Sequence, residues 1–397
     1  MKKLKSILKK WLKIDNNSWG YYRLKFKVGS WKYYLFRLFP VNRKKIVFVS
    51  FKGKYGGDPK YISDRLYQTD PTLDLVWLLH PTTDCPDSFV RRVRYGSWRA
   101  IYELVTAKVW VDDCRKEGIV RKRKSQFYIG TGHGGIPMKK IEKDAEDQLS
   151  AIYLLWAKND SQMTDLKPSN SRWRNEMLRR AFWYDGEILN CGLPRVEYLI
   201  KNKPEKYAQI RKQYGLSEKT KIFLYAPTFR QNEEGELYNL DFQQTKKALE
   251  KRFGGEWIGF RRLHPVATQT QRLNLAGIVV DVTDYPDMED LMLACDLLIT
   301  DYSSCLFETF FLNIPAFLYV VDKELYIKKE RGLYWEIDKL PFPKAISNQE
   351  MALQIETYDP KQYQSGLEDL KKTIGFFEDQ THATEQLVER IRIEQSK

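Results

Sequence analysis

The feature that most constrains this chain is a recurring unit: a short apolar run, a polar or glycine-bearing turn, then a stretch with helical spacing. The first series holds "KIVFVSF" (45–51), "LDLVWLLH" (73–80), "AKVWVDD" (107–113) and "QFYIGTGHGG" (126–135), and closes near "GEILNCGLPRVEYLI" (186–200). A charged helix and linker follow over 203–221. The second series runs through "KIFLYAPTFR" (221–230), "EWIGFRRLHP" (256–265), "AGIVVDVTD" (276–284), "DLLITDYSS" (296–304) and "PAFLYVV" (315–321). Runs this apolar belong to strands buried on both faces, and strands alternating with helices make parallel sheets. The expected architecture is α/β, with two parallel-sheet domains in series. Residues 1–42 form a separate N-terminal segment, 43–202 a first domain and 203–397 a second. The amphipathic helices after Gln349 are able to cross back. Ligands are expected in a crevice at the carboxyl ends of the strands.

Charge is unevenly placed. Residues 1–45 carry 11 lysines and three arginines against one acid, Asp15, so almost all of the net +14 lies there. The near-neutral remainder argues against a nucleic-acid groove across the body. Leu4, Ile7, Leu8, Trp11 and Leu12 share one helical face among six lysines, which suits an interfacial helix on an anionic bilayer. Each basic residue at such a surface contributes roughly 1 kcal/mol. Residues 19–40 interleave aromatics with Arg23, Lys25, Lys27, Lys32 and Arg37, which suits the headgroup region. The plain alternative is a helix docked on the chain's own body. No run of about 18 apolar residues is present to cross a membrane, and the N-terminus lacks the apolar core of a secretory signal. The five cysteines are scattered without C-x-x-C spacing, so free buried thiols are expected, with no zinc site and a reducing compartment.

The sequence has no G-x-x-x-x-G-K-[ST], H-E-x-x-H or G-x-S-x-G, which removes support for P-loop chemistry. Of four histidines, His133 stands among Gly130, Gly132, Gly134 and Gly135, where backbone can approach a ligand and an imidazole can serve as a general base. His264 follows Arg261 and Arg262 at a strand end and reads as an anion contact. His80 reads as structural and His382 as a surface residue. Thr228 and Arg230 in "YAPTFR" are able to reach a phosphate from a strand tip.

"DLLITDYSSCLFETFF" (296–311) places Thr300, Asp301, Ser303 and Ser304 between a buried strand and a helix. One N-cap, worth about 1 kcal/mol, would need only one of them. Several hydroxyls at a helix start suit phosphate binding instead. Glu308 lies one turn on, within reach of a ribose hydroxyl.

Together "SFKGKYGGDPKYI", "FYIGTGHGGIPMKK", "CGLPRVEYL", "YAPTFR", "RLHP", "TDYSS" with Glu308, and "DKELYIKKERGLYWEIDKLP" resemble, in order, the motifs of the CDP-glycerol glycerophosphotransferase family of teichoic acid synthesis. The resemblance spans roughly Lys45 to Pro341. It implies two Rossmann-like domains of the GT-B type with the active site between them. His133 would match the family's catalytic base and His264 the histidine set against the donor phosphates. Ser303 and Ser304 would match the phosphate-binding serines, with Thr228 and Arg230 nearby and Glu308 on the ribose by analogy with the fold. The family usually reads W-H-G-T-P around its first histidine, whereas this chain reads Gly132-His133-Gly134-Gly135-Ile136-Pro137. The implied reaction moves glycerol phosphate or ribitol phosphate from a CDP-activated donor to a hydroxyl of a lipid-linked glycan and releases CMP. No cofactor and no metal are expected. The place implied is the cytoplasmic face of a bacterial membrane, peripherally bound. The sequence carries no signal for an oligomeric state. A GT-B glycosyltransferase using a nucleotide sugar, or a non-catalytic membrane-bound scaffold, are the competing readings.

Overall fold

A computed structural model describes residues 19–228, 239–263, 273–329 and 332–397. The first half builds a sheet from β1 (Asn42–Val49), β2 (Asp74–Leu79), β3 (Arg91–Arg94), β4 (Ala107–Asp112), β5 (Phe127–Gly130), β6 (Leu166–Pro168) and β7 (Glu187–Leu189). The second half builds another from β8 (Lys221–Ala226), β9 (Trp257–Arg261), β10 (Val279–Asp281), β11 (Leu297–Thr300), β12 (Ala316–Tyr319) and β13 (Lys344–Ala345). Every pairing within the two sheets is parallel.

The strand orders are β3-β2-β1-β4-β5-β6-β7 and β10-β9-β8-β11-β12-β13. Both are the doubly wound order, in which the connection reverses direction beside the first strand. The crevices therefore open past β1 and β4 in one half and past β8 and β11 in the other. Side chains alternate across each strand. In β1, Ile46 and Phe48 join one core while Val47 and Val49 join another on the opposite face. That two-sided burial is why the strand reads as a continuous apolar run.

The expected runs from 45 to 321 contain strands, all but β1 shorter than the sequence suggested because their polar ends turn into loops. β3, β6 and β13 had no expectation behind them. β3 reads Arg-Arg-Val-Arg with only Val93 fully buried, and β6 and β13 are three and two residues long. None carries an apolar run long enough to register.

The last helix, Ala383–Ser396, leaves the second half and covers the first sheet. Leu387, Val388 and Ile391 join the core of Ile46, Phe48 and Trp77. Thr384 N–H donates to Glu197 at 2.7 Å and Arg65 pairs with Glu385 at 2.6 Å. At the other end, the helix Trp19–Gly29 and the turn Trp31–Leu35 are docked through Phe26 and Tyr33, which are buried. Leu24, Val28, Trp31, Tyr34 and Leu38 of the same segment stay exposed. The lysine-rich face proposed for residues 1–14 lies outside the described residues. Among the described residues no helix is long and apolar enough to cross a membrane.

Candidate functional site

The two switch points face each other. In the second half β8 and β11 run in register from Phe223↔Leu297 to Ala226↔Thr300. Asp301 follows at once and ties the two strand ends together. Its carboxylate accepts from the Thr228 N–H at 2.9 and 3.0 Å, from the Thr228 hydroxyl at 2.5 Å and from the Tyr302 N–H at 2.5 Å. Asp301 is thus spent on the loop, not on capping the helix Cys305–Leu312, and Thr228 gives its hydroxyl proton to Asp301. Ser303 Oγ receives the Cys305 N–H at 3.5 Å, a long bond. Ser304 occupies the N-cap position, yet its side chain makes no cap bond. The turn holds its shape without using the Ser304 hydroxyl.

Glu308 lies one turn along, buried, with a carboxylate oxygen 4.0 Å from Arg195 Nη1. Burial pushes its carboxyl up to about 7, against the pull of Arg195. Arg262, at the end of β9, donates to the Tyr285 carbonyl at 3.3 Å, while its buried Nε has no partner among the described residues. Burial and the charge of Arg262 both lower the pKa of Lys54, which stands on the first half's loop. Arg230 and His264 lie outside the described residues.

In the first half, β5 ends at Gly130 and the chain enters the glycine–histidine loop. Gly132 takes φ +72°, a conformation that side chains resist. Every carbonyl from Thr131 to Gly135 is then taken. Arg174 donates to Thr131 at 3.0 Å and to Gly134 and Gly135 at 2.6 Å each. The Thr131 hydroxyl donates to Gly132 at 3.2 Å, and Arg195 Nη1 donates to His133 at 3.0 Å. Arg174 and Arg195 are both buried. With its backbone fixed from behind, the loop leaves the His133 side chain exposed. The imidazole Nδ1 lies 3.3 Å from the Asp113 carbonyl oxygen. An Nδ1–H donated there leaves Nε2 with the free lone pair, the form a general base requires.

Arg195 also crosses the cleft. It bonds Asp58 at 3.2 Å within its own half and stands 3.3 Å from Glu289 of the second half. Burial alone would depress it, but Asp58, Glu289 and Glu308 hold the guanidinium well above its ordinary value. Two further contacts close the gap. A Cβ on Gly134 would sit 3.1 Å from Ser304 Oγ, so the histidine loop and the serine turn meet here and a larger residue would press on the serine hydroxyl. Beyond it, Lys140 N–H donates to Gly332 at 2.6 Å, Tyr334 N–H to Met138 at 2.9 Å and Trp335 Nε1–H to Pro137 at 3.1 Å. The Gly332–Trp335 segment thereby straps the loop to the second half.

The structure brings His133, Ser304 and Glu308 to one cleft and sets Thr228 just behind the serine turn. His80 donates its N–H to Gly53 at 2.8 Å and packs under that loop, and His382 is exposed and bonded to Asp379 at 2.9 Å. Sequence reasoning missed Asp113 and Arg174. It quoted Arg195 in "CGLPRVEYL" without giving it a role. Among the described residues no group of three or more His, Cys, Asp or Glu is arranged to hold a metal ion. An exposed imidazole on a loop that meets hydroxyls at a helix start suits proton removal beside an anionic ester.

The model of the CDP-glycerol:poly(glycerophosphate) glycerophosphotransferase family matches residues 32–392. The chain is 30% identical over 341 residues to a teichoic acid poly(glycerol phosphate) polymerase of Staphylococcus epidermidis, covering 82% of this chain and 47% of the relative, less than half of that longer protein. It is 34% identical over 314 residues to a teichoic acid ribitol-phosphate primase of Bacillus spizizenii, covering 76% and 79%. A variant of the wall teichoic acid polymerase TagF soaked with CDPG superposes with a TM-score of 0.81 at 26% identity, covering 95% of this chain and 98% of that one.

Proposed function

Since this chain belongs to the CDP-glycerol:poly(glycerophosphate) glycerophosphotransferase family, we propose that it transfers glycerol phosphate or ribitol phosphate from a CDP-activated donor to a hydroxyl of a lipid-linked glycan, in the synthesis of teichoic acid or a related wall polymer. The observation that carries this reading is the meeting of the His133 loop and the Ser304 turn across the cleft, so close that a Cβ added to Gly134 would sit 3.1 Å from Ser304 Oγ. The acceptor hydroxyl oxygen attacks the β-phosphorus of the donor. The bond from that phosphorus to the bridging oxygen breaks, CMP leaves with that oxygen, and His133 takes the hydroxyl proton. Ser303, Ser304 and the helix start receive the donor phosphates, and Arg230 and His264 are assigned to the same phosphates from the sequence alone. Thr228, bonded to Asp301, shapes this turn, and Glu308 takes the ribose. Residues 43–202 act as the acceptor domain and 203–397 as the donor domain.

The chain works at the cytoplasmic face of the membrane, held there peripherally by residues 1–42. Support comes from Leu24, Val28, Trp31 and Leu38, which remain exposed among Arg23, Lys25, Lys27, Lys32 and Arg37. Co-sedimentation with vesicles tests this: deletion of residues 1–14 is expected to release the protein from anionic lipid, and unchanged binding would refute the anchor.

A donor screen tests the activity. CMP release from CDP-glycerol or CDP-ribitol in the presence of acceptor is the expected result. UDP or GDP release from nucleotide sugars, or no binding of CMP by calorimetry, would overturn it.

A further inference from the structure

Gly332, Tyr334 and Trp335 belong to the second half but hydrogen-bond to the first. Lys140 N–H donates to the Gly332 carbonyl at 2.6 Å and Tyr334 N–H to the Met138 carbonyl at 2.9 Å, around an antiparallel bridge between Lys139 and Leu333. The Tyr334 hydroxyl receives the Ile141 N–H at 3.3 Å and donates to Asp144 at 2.7 Å. The Trp335 Nε1–H donates to the Pro137 carbonyl at 3.1 Å. The exchange also runs the other way. Ile136 and Met138, just past the histidine, are buried in the core of Phe223, Leu298 and Phe317. A segment that only filled its own half would have no need of these crossed ties.

Trp335 is where the ties reach both reacting loops. Its ring centroid lies 5.4 Å from that of Phe307, three residues past Ser304 in the helix Cys305–Leu312. It lies 5.2 Å from the Trp173 ring, inclined by 30°. Aromatic centroids about 4.5–7 Å apart are in contact. Trp173 adjoins Arg174, whose guanidinium holds the Gly134 and Gly135 carbonyls. The indole N–H meets Pro137, four residues after His133. One rigid ring thus touches the serine helix, the neighbour of the loop's guanidinium and the chain leaving the histidine loop. Arg174 fixes the base within the first half, but it does not set how far the base stands from the serine turn. The indole spans that gap.

We propose that Trp335 is a positioning residue, whose indole sets the spacing between the His133 imidazole and the Ser304 turn. This rests on the transfer reading above and adds to the machinery a residue outside both loops. Spacing matters because a reacting pair misplaced by about 1 Å loses up to about a hundredfold in rate.

The test follows CMP release by full-length variants from CDP-glycerol and CDP-ribitol, with a synthetic lipid-linked glycan as acceptor. Trp335→Ala is expected to lower kcat about 10- to 100-fold, while CMP binding by calorimetry stays within about twofold of wild type. Trp335→Phe keeps a ring between Trp173 and Phe307 and loses only the bond to Pro137, so it should recover much of the lost kcat. In a His133→Ala background, Trp335→Ala should lower the residual rate by less than about twofold, since the spacing has no base left to serve. A merely structural tryptophan would cost as much there as in wild type. That additive loss, a Trp335→Ala kcat equal to wild type, or CMP binding that falls in step with kcat in Trp335→Phe, overturns the positioning role. Absence of CMP release by wild type from either donor would overturn the transfer reading instead.

Discussion

The two loops that meet in the cleft are built by opposite means. The His133 loop is fixed from behind: two buried guanidiniums and a threonine hydroxyl take all five carbonyls from Thr131 to Gly135. The Ser304 turn is fixed from beside, by one carboxylate, Asp301, on the end of β8. The first arrangement exhausts its polar groups to aim one side chain. The second leaves the Ser304 hydroxyl uncommitted at a helix start. On the proposed function, a loop that aims a base needs rigidity, and a turn that receives an anion needs unused donors.

If that contrast holds, the largest single loss comes from the aimed side chain. His133→Ala should lower transfer by about 10²–10⁴-fold, the usual worth of a general base. Because His133 is exposed and its backbone is held by other residues, the denaturation midpoint should not move. A variant with wild-type kcat would end the base assignment.

Next comes the residue that aims it. Arg195→Met leaves Asp58, Glu289 and Glu308 in a buried cluster without their shared cation. Removing one partner of such a cluster costs about 3–5 kcal/mol, to be read by urea unfolding. Arg195→Lys keeps a charge but lacks the fork that reaches Asp58 and the His133 carbonyl together. It should recover much of the stability and little of the kcat. Equal recovery of both would reduce Arg195 to a structural role.

These guanidiniums show where the sequence stops being legible. The apolar strands stood out because burial on both faces writes a continuous run. The histidine and the serines stood out because glycines and hydroxyls are unusual beside such runs. Arg174 and Arg195 leave no local mark, since their partners are backbone carbonyls 39 and 62 residues away. The pairing of Thr228 with Asp301 spans 73 residues and is equally silent. The aromatic segment 19–40 is mixed: its composition suits a lipid surface, yet only packing shows that Phe26 and Tyr33 turn inward while Trp31 and Leu38 do not.

A pH series probes the cluster more gently. Glu308 keeps its proton in the folded chain up to about pH 7, whereas the unfolded carboxyl releases it near its ordinary value of 4.5. The folded state therefore binds more protons across that window, and stability falls as pH rises through it. Above about 7 both states are ionised and the loss levels off. Between pH 5 and 8 the group should account for about 2 kcal/mol. Asp287, also pushed up to about 7 by burial and by Glu289, contributes with the same sign. Glu308→Gln should flatten the wild-type pH slope of the urea midpoint, and an unchanged slope would mean that the carboxyl is ionised throughout.

The sharpest divide between the two loops is expected at Ser304, at little cost to the fold. An ordinary N-cap serine loses about 1 kcal/mol of stability when truncated to alanine. Ser304 makes no cap bond, so Ser304→Ala should shift the folding free energy by less than about 0.5 kcal/mol, within the range of a surface change. The same truncation removes a hydroxyl donor to a charged phosphate, worth about 1.5 kcal/mol or more, and so should raise donor KM at least about tenfold. Ser303→Ala should behave differently in one respect, since Ser303 Oγ already receives the Cys305 N–H, and some stability should go with the binding. Steady-state donor titrations and urea curves on the two variants read both quantities. A Ser304→Ala protein that loses stability but keeps its donor KM would make the turn a helix cap, and the contrast between an aimed loop and a receptive one would fail at its simplest point.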